Sequence, residues 1–488
     1  MTRERYHPII YVRGFAMRDS EIEATINTPY MGFNLGATRV RQGPSGAFDS
    51  LIFESPVIRL MKDHGYRDVY AEGAEREDRL PRRTLLIHRY YEGEGGEGQR
   101  PSIPEAARAL SERILWLRER ICGDDEEARE AFKVYLVAHS MGGLVCRCLL
   151  QNPEAGSAEA RACVDKVFTY GTPHDGIEMA GFNVPRFLGL WDISNFNRKS
   201  IAGYLKLSPR GGRVNRLGGH FPPERFFCLV GTNHRDYNAT RHVVGARSDG
   251  LVKIDCAWVE DAPRVHLYLA HSGPFGMVNS EAGYLNLTRF LFGDARMQGQ
   301  LVVDHLPLPP SLQQARDEGN DIEGSYHFEC TVMPRLFPPV ALSERRVEHD
   351  SAIFRRYDEM FHPERAGHDH ARHPVLFSVY LDSTRITVTQ GRTMMLTADI
   401  AVRSTEFKVG GRWFVSRRVP EENLFREKVV ILATAAAGGW RLRYILGDED
   451  WGEGRGRPVK EDARGHYVPL TSRKGFKARL YLRIDPWQ

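Results

Sequence analysis

The 488-residue chain contains no uninterrupted run of about 18 apolar residues, which a membrane-spanning helix requires. Its opening residues, Met-Thr-Arg-Glu-Arg-Tyr-His-Pro, are not followed by the apolar segment of a secretory signal. The net charge of +4 is small for a chain with 27% charged residues, so the composition does not indicate nucleic-acid binding. We therefore expect a globular protein that is cytoplasmic or is exported by a route independent of a signal peptide.

Cysteine is scarce as well, and its distribution does not indicate metal binding. Seven cysteines are scattered along the chain, an odd number without metal-ligand spacing. Most lie in apolar stretches, which is typical of reduced thiols in a protein core. Four histidines, His362, His368, His370 and His373, lack the spacing of a zinc finger, and we expect them in a solvated loop. The sequence predicts neither a metal nor a cofactor.

The length predicts two domains or three, and the first is of the α/β class. Between residues 8 and 293, apolar strand-like runs alternate with helical segments, as in a mostly parallel, doubly wound sheet. Segments 17–82 and 177–222 interrupt this alternation. The second is a lid over a lipophilic site or, alternatively, a helical excursion packed on the sheet. Its apolar residues are Phe182, Val184, Phe187, Leu188, Leu190, Trp191, Ile193 and Phe196.

The pattern changes in the C-terminal part of the chain. We assign residues 1–295 to the first domain and 296–324 to a linker, because Pro307, Pro309 and Pro310 precede a polar run. In residues 325–488 apolar residues recur with a period of two, which predicts an antiparallel β-sandwich. The last strand carries Lys477, Arg479 and Arg483, compatible with anionic lipid but more simply a solvated face.

The candidate catalytic serine lies in the stretch Phe132–Gly143, which reads Phe-Lys-Val-Tyr-Leu-Val-Ala-His-Ser-Met-Gly-Gly. A strand-forming run leads into Ser140 between small residues, and a helix-compatible run follows at once. This is the pattern of a nucleophile elbow, which exposes the serine Oγ above a helix N-terminus. Ser140 is therefore our candidate nucleophile. The simpler alternative is that Ser140 only caps the helix.

A nucleophilic serine needs a base and an acid that orients the base. The chain supplies Asp249 in Ser-Asp-Gly-Leu-Val, and then His271 directly after a predicted strand. Asp249 could instead only cap its turn, and Asp175 is the reserve acid. His266 competes with His271 but lies within a predicted strand, and we interpret His174 as structural or pocket-lining.

The chain resembles the α/β-hydrolase lipases and esterases, among them bacterial triacylglycerol lipases and hydrolases similar to GPI inositol deacylases. The resemblance covers roughly residues 7–293 and is carried by Ala138–Gly143, Gly171–His174 and Ser248–Val252. In bacterial lipases the aspartate of the Asp-Gly-Leu-Val motif is the acid, which by resemblance is Asp249 here. The resemblance implies an α/β-hydrolase fold with Ser140, Asp249 and His271 as catalytic residues.

Two backbone N–H groups should form the oxyanion hole, those of Met141 and Phe15. Related lipases usually carry His-Gly where this chain has Arg13-Gly14. Arg13 either braces the loop through backbone carbonyls or attracts an anionic group of the substrate.

These observations predict a serine ester hydrolase that cleaves lipid-like or hydrophobic carboxylic esters through an acyl-enzyme on Ser140. Lipase, phospholipase and carboxylesterase share this chemistry, so the sequence does not separate them. The alternatives are a phospholipase effector or toxin, an acyltransferase, and a non-enzymatic protein that docks on a membrane surface or a partner through the β-sandwich. No nucleic-acid partner is expected.

Overall fold

The structure is a computed structural model, and its description covers most of the chain. The described residues are 5–14, 37–42, 48–53, 56–69, 79–88, 101–177, 196–236, 244–273, 275–335, 339–362, 372–385, 393–410, 417–436, 439–447 and 456–487. The chain divides into two units. The first comprises residues 1–264 and 268–292, and the second comprises 265–267 and 293–488.

The first unit contains most of a sheet of seven strands in the order β4-β5-β1-β6-β7-β8-β9, and a separate antiparallel hairpin, β2-β3. Strand β1 pairs in parallel with β5 and β6, and β7 pairs in parallel with β6 and β8. The central strands are buried along nearly their whole length, as a parallel sheet covered on both faces requires. The strands are β1 (Ile9–Val12), β2 (Ala37–Gln42), β3 (Phe48–Phe53), β4 (Arg67–Asp68), β5 (Thr84–His88), β6 (Val134–His139), β7 (Val164–Tyr170), β8 (Phe226–Gly231) and β9 (Arg264–Leu267).

Seven helices belong to the described part of this unit. They are α1 (Pro56–His64), α2 (Ile103–Cys122), α3 (Glu126–Glu130), α4 (Met141–Gln151), α5 (Ala158–Cys163), α6 (Arg198–Tyr204) and α7 (Glu281–Phe292). Helix α2 begins with a capping box formed by Ser102 and Glu105, in which the Ser102 N–H donates to Glu105 Oε2 at 2.7 Å. Helix α4 is buried along its entire length and begins one residue after β6 ends. That single intervening residue is Ser140.

The described half of segment 177–222 is part of the packed core. Ile201, Leu205, Val214 and Leu217 are buried in the same apolar cluster as Leu149 of α4. Residues 196–222 therefore form an excursion packed on the sheet, as the simpler of the two interpretations expects. Residues 178–195, which carry most of the apolar side chains of the predicted lid, lie outside the described residues, as does much of segment 17–82.

The second unit consists mainly of antiparallel strands. One sheet has the order β15-β10-β24-β23-β22, a second β13-β12-β16-β19-β20-β21 with β14 also paired to β12, and a small third β11-β17-β18. Phe425 of β19 and Phe476 before β24 have ring centroids 5.0 Å apart, a contact between the two larger sheets. The strands are β10 (Ala295–His305), β11 (Ile322–Glu323), β12 (Ser325–Pro334), β13 (Ser343–Arg345), β14 (Ile353–Arg356), β15 (Val375–Leu381), β16 (Thr393–Ser404), β17 (Phe407–Val409), β18 (Arg417–Val419), β19 (Asn423–Ala436), β20 (Gly439–Leu446), β21 (Arg457–Pro458), β22 (Lys460–Asp462), β23 (Gly465–Thr471) and β24 (Lys477–Pro486).

The predicted linker over residues 296–324 is wrong. Most of its first half is strand β10, which pairs with β24 on one side and with β15 on the other. Buried and partly exposed residues alternate along its first half, the pattern of a strand within a sheet. A short helix, α8 (Pro310–Asp317), follows the prolines, and α9 (Tyr357–Phe361) lies farther along.

Two of the three basic residues of β24 are paired with carboxylates. Arg479 contacts Asp304 at 2.7 Å and Asp462 at 2.9 Å, and Arg483 contacts Asp485 at 2.8 Å. This face is therefore a mixed-charge strand surface, which supports the simpler interpretation and not a cationic one.

The predicted α/β class of the first domain, with a mostly parallel sheet, is confirmed by these sheets, and the antiparallel sheets show that the C-terminal part is β-rich. All seven cysteines are buried and free. Among the described residues, no helix combines the length and the apolar character needed to cross a membrane.

Candidate active site

Ser140 occupies a sharp turn between β6 and α4. Its backbone angles are φ 53° and ψ −125°, a conformation that non-glycine residues rarely adopt. It stands at the N-cap position of α4, yet its side chain makes no capping hydrogen bond. Its Oγ lies 3.0 Å from Nε2 of His271 instead. The local structure thus presents the hydroxyl to a base and not to the helix.

His271 links this hydroxyl to a buried carboxylate. Its Nδ1 lies 2.8 Å from Oδ2 of Asp249, and its backbone N–H donates to the Asp249 carbonyl oxygen at 2.9 Å. Asp249 is 1% exposed and His271 is 3% exposed, so water competes little for these contacts. In this series of contacts, His271 can take a proton from the Ser140 hydroxyl, and Asp249 can stabilise the imidazolium that results.

Asp249 also holds its own turn together. Its Oδ1 accepts hydrogen bonds from the backbone N–H groups of Leu251 at 3.0 Å and Val252 at 2.7 Å. The two interpretations of Asp249 from sequence are therefore compatible, because one oxygen caps the turn while the other contacts the base. Capping fixes the carboxylate and so presents Oδ2 to His271 in one orientation.

The backbone N–H of Met141 lies at the first position of α4, where it has no partner within the helix. The helix dipole adds partial positive charge there, as an oxyanion requires. Phe15, the second predicted donor, lies outside the described residues. The chain just before it packs closely on the elbow: a Cβ on Gly14 would lie 2.9 Å from Ser140 Cβ, and one on Gly142 would overlap the Val12 carbonyl oxygen.

Asp175, the reserve acid, has a different set of partners. It is fully buried; its Oδ1 accepts from the Val214 N–H at 2.7 Å, and its Oδ2 accepts from Arg198 Nη2 at 2.8 Å. Arg213 Nε lies 3.2 Å from the same Oδ2. These contacts join the end of β7 to the excursion that contains α6. Asp175 is engaged as a structural ion pair, and Asp249 is the carboxylate in contact with His271.

A buried arginine of α4 supports the same excursion. Arg147 donates hydrogen bonds to the backbone carbonyls of His174, Val214 and Arg216, each at 2.8 Å. Burial lowers the pKa of Arg147 to about 10, and Asp175 is among the groups that oppose this effect. The helix that follows Ser140 is thereby tied to the loop that follows β7.

The other candidate histidines lie elsewhere. His266 is buried in β9, and His174 is buried with Nε2 3.2 Å from the Thr169 hydroxyl. Of the four clustered histidines, His362 and His373 are described, whereas His368 and His370 lie outside the described residues. Arg13 is partly buried; burial and then the neighbouring His271 lower the pKa of His139, and the Arg13 cation lowers it in addition.

Sequence reasoning missed His139, which precedes Ser140. Its Nε2 lies 3.0 Å from the backbone carbonyl oxygen of His271, and the two imidazole rings are 4.9 Å apart. The available signal was its place inside the motif, next to the candidate nucleophile. Its partner is 132 residues away, so no local pattern could identify the contact.

No protein-family model matches the chain, and no curated protein matches it either. Among solved structures, it is similar to a Bacillus licheniformis lipase, at 14% identity and a TM-score of 0.32, over 59% of this chain and 91% of that one. It is similar to the phospholipase PlaB of Legionella pneumophila, at 11% identity and a TM-score of 0.35, over 81% and 85% of the chains. It is also similar to an acetyl xylan esterase, at 11% identity and a TM-score of 0.19, over 41% and 96%. The chemistry assigned to the site rests on its geometry.

Proposed function

We propose that the chain is a serine hydrolase of carboxylic esters, with Ser140 as nucleophile, His271 as general base and then acid, and Asp249 as the group that orients His271. The observation that carries the proposal is the continuous contact Asp249 Oδ2–His271 Nδ1–His271 Nε2–Ser140 Oγ, with distances of 2.8 and 3.0 Å. These are hydrogen-bonding distances, and the strained backbone at Ser140 directs Oγ toward the base.

The reaction follows from these contacts. His271 Nε2 takes the hydroxyl proton while Oγ attacks the ester carbonyl, and the oxyanion forms beside the N–H of Met141. The imidazolium then gives its proton to the departing alcohol, which leaves the acyl group on Ser140. Water, deprotonated by His271, attacks the acyl-enzyme and releases the acid. The N–H of Phe15 is the second oxyanion donor in this proposal.

The substrate class is a lipid-like or otherwise hydrophobic ester. A membrane surface to which the protein binds peripherally is one source of such a substrate. The apolar composition of residues 178–195, next in the chain to the loop after β7, supports this choice. Phospholipase activity and acyl transfer use the same three residues, so the product identifies which reaction occurs.

The decisive experiment is labelling with a fluorophosphonate probe, which reacts covalently with an activated serine. We expect labelling of the wild type, no labelling of Ser140→Ala, and a loss of ester turnover on the order of 10⁴-fold or more in that variant. The matched control is Ser208→Ala, an exposed serine whose replacement should leave labelling intact. Persistent labelling of Ser140→Ala would overturn the proposal.

A series of p-nitrophenyl esters of increasing acyl length, assayed beside phospholipid vesicles, then tests the substrate class. A preference for long acyl chains supports a lipid-like substrate, and a preference for acetate contradicts it. Release of a new ester in the presence of an alcohol acceptor would identify acyl transfer.

A further inference from the structure

His139 connects the elbow to the backbone that carries the base. A carbonyl oxygen only accepts hydrogen bonds, so the 3.0 Å contact between His139 Nε2 and the His271 carbonyl requires the proton to be on Nε2. The two rings lie 4.9 Å apart at an angle of 43°. His139 therefore contacts the main chain of His271 and also lies beside its ring.

The backbone of His271 is held from two sides. Its N–H donates to the Asp249 carbonyl at 2.9 Å, and its carbonyl accepts from His139. The first contact ties residue 271 to the loop of the acid, and the second ties it to the residue bonded to the nucleophile. The backbone N–H and the carbonyl of His271 thus both fix its position, the first relative to Asp249 and the second relative to the segment that carries Ser140.

These contacts close a loop of covalent and hydrogen bonds. The loop runs from Ser140 Oγ to the His271 imidazole, along residue 271 to its carbonyl, through the ring of His139, and by one peptide bond back to Ser140. If the His139 contact is removed, this loop opens, and the His139 side no longer restrains the Oγ–Nε2 separation. Catalytic rates are sensitive to such separations, because a displacement of about 1 Å can cost roughly 100-fold.

We infer that His139 is a positioning residue: its Nε2–H, bound to the His271 carbonyl, sets the distance between the base and the nucleophile. The inference rests on the proposed function of Ser140. In this role His139 acts through the main chain of the base, because the atom it contacts is the His271 carbonyl oxygen.

The protonation state of His139 suits this role. Burial lowers the pKa of His139 to about 3, and the neighbouring His271 and Arg13 lower it in addition. His139 is therefore neutral at any pH at which the site works, and it adds no second cation when His271 takes the serine proton. On its other side it meets the backbone of Gly14, where an added Cβ would lie 3.0 Å from His139 Nδ1.

The test compares two replacements of similar length in the full chain, His139→Gln and His139→Met. Glutamine carries an amide N–H near the position of Nε2, whereas methionine carries no donor. For His139→Met we expect kcat on a soluble ester to fall about 30-fold or more, with KM changed less than about threefold. For His139→Gln we expect kcat within about fivefold of the wild type.

A parallel measurement avoids dependence on turnover. The second-order rate of fluorophosphonate labelling reports the attack of Ser140 directly, so it should fall in His139→Met and recover in His139→Gln. His139→Phe, which keeps an aromatic ring but no donor, replaces the methionine variant if the latter does not fold, as judged by its melting temperature.

Three outcomes would overturn the inference. These are an unchanged kcat in His139→Met, equal losses in the glutamine and methionine variants, and a rise in KM at constant kcat. The failure of the proposed function is distinguishable, because it would appear as activity or labelling that survives in Ser140→Ala whatever the His139 variants do.

Discussion

Two buried aspartates follow neighbouring strands of the same sheet, and they serve different purposes. The Asp175 loop, residues 171–177, follows β7. The Asp249 loop, residues 247–253, lies in the connection from the neighbouring strand β8 to β9. In both, Oδ1 accepts a hydrogen bond from backbone N–H groups, and Oδ2 contacts side chains. In the first loop these side chains are two arginines, and in the second the side chain is one histidine.

Burial does not distinguish the two carboxylates, since both are almost completely inaccessible to solvent. Their partners do. A carboxylate shared between two guanidinium groups is charge-balanced and anchors an excursion of the chain. A carboxylate in contact with an imidazole can stabilise a proton that arrives on that imidazole. The same substitution at each position therefore separates catalysis from stability.

The largest effect is expected for Asp249→Asn. The amide can still accept the turn hydrogen bonds, but it cannot hold His271 in the required tautomer and charge state, so kcat should fall about 10⁴-fold. The measurement is kcat on a soluble ester, with the melting temperature as evidence that the variant folds. A loss below tenfold in a folded variant would contradict the role proposed for Asp249.

The matched substitution, Asp175→Asn, should show the reverse behaviour. It leaves Arg198 and Arg213 without their shared carboxylate, and we expect the free energy of unfolding to fall by about 3 kcal/mol. The partial exposure of both arginines, with side chains 39% and 38% accessible, keeps the loss moderate. Urea unfolding measures the loss, and kcat of the folded variant should stay within a few-fold of the wild type. If a folded Asp175→Asn lost turnover as Asp249→Asn does, the two roles would have to be exchanged.

The effect per pH unit is smaller when acid lowers the free energy of unfolding through His174, in the Asp175 loop. Burial, followed by the nearby Arg147 cation, holds the pKa of His174 well below its usual value of 6.5. As pH falls below about 6.5, the unfolded chain protonates this histidine and the folded chain does not, so the unfolding free energy decreases by up to about 1.4 kcal/mol per pH unit. In His174→Gln this contribution is absent, and stability should fall less steeply as pH decreases below about 6.5.

The control for this experiment is His220→Gln, because His220 is exposed and lies in the same unit. Its pH dependence should match that of the wild type. His88, whose pKa burial lowers to about 4, remains in all three proteins, so the difference between them reports on His174. Identical slopes for His174→Gln and the wild type would show that the Asp175 loop does not contribute to acid sensitivity.

The elements around the site were predictable where the signal is local. A strand that leads through small residues into a helix identifies Ser140 within a dozen residues, and Ser102 with Glu105 marks the start of α2. Strand β10 was missed, although Ala295, Met297 and Leu301 are buried with period-two spacing, because the prolines that follow indicated a linker. Its partners are far away in sequence, with Ala295 opposite Leu381 and Pro486.

The sequence alone determined the order Ser140, Asp249, His271 and the place of Ser140 between a strand and a helix, because these depend on short stretches of backbone. Tertiary structure decided between the two aspartates, since the choice depends on which side chains reach each carboxylate from distant segments. It also brings His139 into contact with the main chain of His271, a residue on another loop. Hydrogen bonds between segments far apart in the chain form only when packing brings them together, and no local pattern encodes them.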